Sequence, residues 1–323
     1  MGLTWFPNGI KTPLMVGGAS TPEIPYTSGS YFFVSSTYPL GSDSNAGTDP
    51  QAPLATIDAA IGKCTASHGD VIVVLPYHAE NVIVASGITC DIAGVQIIGL
   101  GTGSQRPTIT FTTANTATIV ISAADVTWKN FLFIGNFLSI AKAFAPSAAG
   151  TDFTLDTCEF RDASDVLCFL SVVTTTATTS ANGLTIKNCY RQSIAATTPG
   201  PFLSVLGTID RVQITDNLFV HGIDGANLPV VMSQAALVVT NLLMARNRVY
   251  CVHANTSSGG LLIVSTATTG SGVICDNYVR SQDPAGAIMV SAAAIQYGMF
   301  NNLHTGETTL LSATILPAAG SDT

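Results

Sequence analysis

Three charged residues fall at one position of a repeated phrase: Asp216, Arg246 and Asp276, each directly before an asparagine (Asn217, Asn247, Asn277). Stacked in one column of a parallel sheet, neighbours stand about 4.8 Å apart, so the two carboxylates would lie roughly 9–10 Å apart with a guanidinium between them. Carboxylate pairs about 5–10 Å apart on an outer face suit glycoside hydrolysis, and acids holding calcium beside a base suit polysaccharide elimination. The competing reading is a ladder of alternating charge tying three rungs together, each exposed pair contributing about 0–1 kcal/mol. The ladder is favoured, because Arg246 would depress both acids and leave no proton donor. Glu159, Arg161, Asp162 and Asp165 form a second charged group, read as a solvated loop because no second acidic column lies beside it.

Other reactive side chains are dispersed. Seven cysteines stand at 64, 90, 158, 168, 189, 251 and 275, with no CxxC pair, so neither a zinc site nor a dithiol is indicated. His68, His78, His221, His253 and His304 occur singly and read as surface or turn residues. Trp128, Phe131 and Phe133 read as core rather than as a platform for sugar stacking. No phosphate-cradling glycine loop or nucleophile elbow is present, and no cofactor is implied.

The elements that would position these groups follow from the phrase itself. Aligned on its hinge, FTLDTCEF, LTIKNCYR, VQITDNLFV, LLMARNRVY, VICDNYV and GMFNNLH place Cys158, Cys189, Asn217, Asn247, Asn277 and Asn302 in one column, with Leu100 and Phe131 as earlier members. Successive gaps are 31, 27, 31, 28, 30, 30 and 25 residues, a repeat in which no unit buries its apolar face alone. A second phrase runs out of phase: FLSI at Phe137, FLSV at Phe169 and Phe202, then PVVM, LLIV and AIMV at Pro229, Leu261 and Ala287. Two strand phrases per repeat predict a coil with at least two sheets per turn, and alternation sends Leu184, Ile186, Val212 and Ile214 inward. Small inward hinge residues predict an asparagine ladder, interrupted and apolar where Cys158 and Cys189 stand.

Composition narrows the partners. Of the 323 residues 47% are hydrophobic and only 10% charged, against about 25% charged in ordinary soluble domains. The surface is therefore largely neutral, or covered by partners. A net charge of −8 without a Lys/Arg cluster argues against a nucleic-acid surface, and no apolar run is long enough to span a bilayer. Met1 to Ser20 lacks the basic start and compact apolar core of a secretion signal, which leads to an expectation of folding in a cytoplasm.

Along the chain, residues 1–30 form an arm with four prolines and Trp5, Phe6, Pro7, Asn8, Ile10, Leu14 and Met15, expected to dock on another subunit rather than fold back over the first rung. Residues 31–68 hold a strand (YFFV), a polar turn and a short helix with Ile57, Ala60 and Ile61 on one face, suited to covering the open end of a coil. Residues 69–305 form the coil, opening with the buried strand VIVV before Pro76, and 306–323 a last strand and tail.

The stretch Gly41, Asp43, Asn45, Gly47, Thr48, Pro53, Thr56, Ile57, Ala60, Ile61, followed by Gly69, Asp70, Ile72, Val74 and Pro76, resembles the N-terminal cap of right-handed parallel β-helix proteins of the pectate-lyase-like superfamily. The inward asparagine column is similar to that superfamily's ladder. One departure is Tyr77 where the family usually has Gly after the proline. The resemblance implies an all-β, single-stranded right-handed parallel β-helix with a short capping helix and an extended arm, and a homotrimer. Leu3 to Ile10 (LTWFPNGI) resembles the start of some head-associated proteins of tailed phages. The expected function is that of a structural virion protein, a head decoration or cement protein assembled in the host cytoplasm and gripping the major capsid protein, or another virion protein, through its arm. A tailspike or fibre module binding, and perhaps cutting, host polysaccharide is the alternative; a free carbohydrate-active lyase or hydrolase is the third.

Overall fold

A computed structural model describes residues 15–16, 19–20, 24–36, 41–176, 181–194, 200–221, 230–233, 238–251, 263–265, 270–280, 290–292 and 297–305. Trp5, Phe6, Pro7, Asn8, Ile10 and Leu14 lie outside them, and Met15 is described only as backbone, in a two-residue strand pairing antiparallel with Ala19–Ser20.

The described residues form an all-β parallel solenoid with three long sheets and two short two-stranded ones. Sheet I has ten strands from Tyr31–Val34 to Tyr297–Phe300, sheet II nine from Ala79–Val82 to Leu303–Thr305, and sheet III eight from Ile88–Cys90 to Val290–Ala292. Each strand pairs in parallel with the one a repeat away, as Thr127, Thr154, Thr185, Gln213, Leu243 and Val273 do across sheet I. Because side chains alternate, each strand sends one set inward. In sheet I that set is Trp128, Leu155, Ile186, Ile214, Met244 and Ile274, all fully buried.

Aromatic rings fill the wider early rungs. Phe133 and Phe160, in register in sheet II, stack at 5.0 Å and 13°; Phe160, Phe202 and Phe219 continue edge to face at 5.3 and 5.1 Å. Trp128 is wholly buried against Phe131 and Phe133, in the core as the sequence indicated. Such ring pairs add about 0.5–1.5 kcal/mol each beyond the area they bury.

The short helix α1 (Ile57–Ile61) forms where expected and buries Ile57, Ala60 and Ile61 against the first strands of sheets I and III. Thr56 caps it by accepting from the Ala59 amide, and Asp43 fixes the approach by accepting from the amides of Ala55 and Thr56 and the Thr56 hydroxyl. This is the physical content of the polar motif before the helix. Tyr77, the departure after Pro76, takes φ +64°, the left-handed conformation that explains a preference for glycine there.

Two expectations are corrected. Leu100 is no hinge member: it faces outward with Ile98 into a second apolar cluster formed with Ile24, Phe33, Val71, Val73 and Leu75. FLSI and FLSV at Phe137 and Phe169 precede their sheet III strands, which are Phe144–Pro146 and Val173–Thr174; the phrases instead make single bridges, Leu138 to Leu167 and Ile140 to Phe169. At Phe202 phrase and strand (Leu203–Val205) coincide. The three long sheets agree with the expectation of at least two per turn.

Candidate functional site

The column before the hinge is a backbone device first. Asn130, Thr157, Asn188, Asp216, Arg246, Asp276 and Asn301 all have φ between +52° and +63°. Each opens the two-residue corner, completed by the hinge residue, that turns the chain from sheet I to sheet II. Asn and Asp tolerate this region best, which accounts for their recurrence there. Arg246 Nε and Nη2 donate to Asp216 Oδ1 and Oδ2, both at 2.7 Å. That bidentate bond holds Asp216 below the usual carboxylate range, and Asp216, with Asp276 acting through charge alone, raises the guanidinium. The charged column is thus a cross-rung ion pair that joins two of the three rungs the ladder reading would tie.

Inside the corner, the asparagines bond up and down the stack. Asn247 Oδ1 accepts from the Asn217 amide (3.1 Å) and Asn217 Nδ2 (2.9 Å), while Asn247 Nδ2 donates to Ile214 O (2.7 Å) and Asn277 Oδ1 (2.9 Å). Asn277 bonds Asn302 in the same way. At the cysteine rungs only the amide-to-amide links lapse. Cys189 Sγ donates to Leu155 O (3.7 Å) and Lys187 O (3.3 Å), Cys158 Sγ donates to Trp128 O (3.6 Å) and Asp156 O (3.4 Å), and the Cys189 amide still donates to Asn217 Oδ1 (2.8 Å). The expectation of a purely apolar interruption is therefore corrected. Burial and the adjoining Cys158 thiol push Cys189 well above its ordinary value, and burial pushes Cys64 and Cys90 up to about 12. None is a nucleophile near neutral pH.

Of the second charged group only Asp165 lies exposed in a bend, as a solvated loop would have it; the other three are in a strand. Glu159–Asp162 is a sheet II strand in which Glu159 bridges Arg106 (2.8 Å) and Arg161. Asp162 accepts from the amides of Phe169 and Ile194 and the Ser193 hydroxyl. Beside it Arg191 is wholly buried in the aromatic column between Phe160 and Phe219, donating to Gly200 O and Phe169 O. Burial lowers its pKa and the Asp162 charge opposes that fall. His221 is buried too, with neither ring nitrogen hydrogen-bonded among the described residues, and burial together with Arg191 lowers its pKa to about 3. His78 is likewise interior: Nδ1 accepts from the Ser36 amide (2.9 Å) and Nε2 donates to Glu80 (3.0 Å), which also receives the first amide of α1. The reading of all histidines as surface residues is thus corrected for these two.

A concave site lies at the opposite end of the sheet I strands. Asp152, Thr154, Gly183, Thr185, Arg211, Gln213, Asn241 and Leu243 line a cleft of about 340 Å³. Asp152, Gly183, Arg211 and Asn241 again have positive φ, as do Gly69, Gly94 and Asp125 earlier in that column. Five of the sheet I strands are therefore bracketed by two left-handed residues. Arg211 Nη1 reaches Asp152 Oδ1 at 3.4 Å across the Gly183 rung, and Arg211 Nε lies 3.6 Å from Asp210. Asp210 accepts from Thr240 Oγ1 (2.6 Å) and Asn241 Nδ2 (2.7 Å), which hold it below the usual range.

This cleft was missed in the sequence because its residues differ in type, although they recur two positions before each strand phrase. Gly183 creates the space: a Cβ there would fall 2.0 Å from Asp152 Oδ1, at φ +80°. Gly183→Ala is expected to displace Asp152 from Arg211 and cost about 1–3 kcal/mol in chemical denaturation.

Among the described residues no three His, Cys, Asp or Glu side chains are grouped to hold a metal ion, and no helix is long and apolar enough to cross a membrane. The class the geometry defines is the parallel β-solenoid with an interior asparagine ladder. No family model and no curated protein matches the chain. Among solved structures it is similar to a rhamnogalacturonan lyase (TM-score 0.45, 12% identity, 85% of this chain and 87% of that one). It is also similar to a GH136 lacto-N-biosidase from Eubacterium ramulus (TM-score 0.37, 12% identity, 85% and 67%).

Proposed function

We propose that the chain is a structural virion protein, a decoration or cement protein of a phage head, attached through its N-terminal arm (residues 1–30) and assembled as a homotrimer. The observation that carries this reading is the fixed root of the arm. Ile24 is buried on the outer face of sheet I, the Ser30 amide donates to Asp70 Oδ1 (2.6 Å), Thr27 Oγ1 donates to Gly69 O, and Tyr31 OH donates to Pro25 O (2.9 Å). A tether with a rigid origin loses less entropy on docking than one hung from a flexible linker. The low charge and the ladder-stiffened coil also suit a clamp repeated many times over a shell. The ion pairing of Asp216 supports a non-catalytic corner, since an acid held ionised has no proton to give.

Deleting residues 1–20 is expected to leave the β-sheet circular dichroism unchanged and to abolish co-sedimentation with purified particles. Retained attachment would refute the arm's role.

The cleft favours a second reading, a tailspike or fibre module that binds host polysaccharide. Its Asp, Asn, Gln, Thr and Arg side chains are the planar and hydroxylic groups that bond sugar hydroxyls. A glycan array screened with wild type and Arg211→Ala separates the two, because only the second reading expects binding that the substitution removes.

A further inference from the structure

Two of the ion pairs that cross rungs stand at opposite ends of the sheet I strands, and they differ in how firmly they are held. At one end Arg246 grips both oxygens of Asp216 at 2.7 Å. At the other, in the cleft, Arg211 Nη1 stands 3.4 Å from Asp152 Oδ1 and Arg211 Nε 3.6 Å from Asp210 Oδ2, with 57% of the Arg211 side chain and 42% of the Asp152 side chain exposed. Contacts this long leave Asp152 and Arg211 able to exchange one another for a ligand. Beneath them Thr154, Thr185, Gln213 and Leu243 stand in register as a floor roughly 14 Å long. The charges are unbalanced. Two carboxylates face one guanidinium, and Asp125, one rung before Asp152 in the same corner column, adds a further acid on that flank. No Lys and no other Arg lines the cleft.

We infer that the cleft takes a neutral saccharide and that Asp152 sets this choice by turning acidic sugars away; the inference rests on the saccharide reading of the cleft given above. A carboxylate beside a guanidinium offers an acceptor next to a donor, an arrangement that two neighbouring hydroxyls of a sugar can bridge. The floor adds two hydroxyls and an amide, which give and take hydrogen bonds, and Leu243 adds an apolar contact for the C–H face of a ring. A uronic acid, a sialic acid or a phosphorylated sugar brings a negative charge of its own. To reach Arg211 that charge must come between Asp152 and Asp210, and like charges so close repel. Asp210 is fixed, since Thr240 Oγ1 (2.6 Å) and Asn241 Nδ2 (2.7 Å) both donate to its Oδ1. Among the described residues the Asp152 carboxylate bonds Arg211 alone, so it is the freer acid and the one whose charge meets the ligand.

The test is a glycan array that carries neutral gluco-, galacto-, manno- and rhamno-oligosaccharides beside glycans bearing uronic acid, sialic acid or phosphate, screened with wild type, Asp152→Asn and Arg211→Ala. Wild type is expected to hold neutral glycans about tenfold more strongly than acidic ones. Asp152→Asn should raise the ratio of acidic to neutral binding by about tenfold, and Arg211→Ala should lose the neutral glycans. Asparagine tolerates the φ of +54° that Asp152 adopts and stands at 241 in the same column, so the first variant keeps the fold, which circular dichroism verifies. A wild-type preference for acidic glycans, a ratio unchanged in Asp152→Asn, or neutral binding that survives Arg211→Ala would each overturn the inference, while saccharide binding by the protein would stand. An array on which wild type holds nothing would overturn both.

Discussion

Lowering the pH from 6.5 towards 3 should unfold this protein progressively, and replacing His221 with leucine should remove most of that slope. The His221 ring is neutral in the folded chain, because burial and the adjoining Arg191 charge bring its pKa from 6.5 to about 3. In the unfolded chain it protonates below about 6.5, so between these values the unfolded state binds the extra proton. Stability therefore rises with pH across this window, by about 1.4 kcal/mol per unit, or roughly 4–5 kcal/mol in all. Asp70, Asp210 and Asp216 are held below the usual carboxylate range, so their contribution is lost only below about pH 4. The two effects separate on the pH axis. Urea denaturation of wild type and His221→Leu at half-unit steps should give curves that converge towards pH 7 and diverge below 6. Parallel curves would mean that His221 finds a partner when protonated.

The second large effect should come from the ladder. Asn247→Ala removes one side chain but strands the Asn217 amide and one N–H of Asn217 Nδ2, both buried, and takes one of two donors from Ile214 O. Unsatisfied buried groups cost about 1–3 kcal/mol each and are not additive, so roughly 3–5 kcal/mol is expected. Asn247→Cys should cost clearly less, since Cys189 shows a thiol reaching the matching carbonyl from this position. Equal losses for Ala and Cys in the same denaturation series would show that the column is held by volume rather than by hydrogen bonds.

The contrast between these two sites explains what the sequence made legible. The ladder could be read because its residues repeat in type and spacing: one asparagine in four successive rungs is a period no core position imitates. The helix could be read from Ile57, Ala60 and Ile61, whose spacing only a helix places on one face. Arg191 could not, because it is a single polar residue at a position the repeat fills on either side with Phe160 and Phe219, and His221 could not, because its column mixes Phe111, Gly135, Asp162 and Ser193 and so carries no periodic signal. The cleft stayed hidden for a related reason. Its shape depends on the missing side chain of Gly183, and a pattern search weighs the residues present.

The paired left-handed residues around the sheet I strands have a further consequence for how this chain can change. From Asp125 to Asn130, Asp152 to Thr157, Gly183 to Asn188, Arg211 to Asp216 and Asn241 to Arg246 the interval is five residues every time. The return stretches vary instead: 22 from 130 to 152, 26 from 157 to 183, 23 from 188 to 211 and 25 from 216 to 241. One side of the coil thus keeps time while the other absorbs every change of length. Peptides grafted after sheet II or sheet III strands should be carried without loss of register, whereas a single residue inserted between the paired turns would put every later side chain of that strand on the wrong face. The molecule is in this sense a ready display scaffold, with one invariant edge and two edges open to insertion.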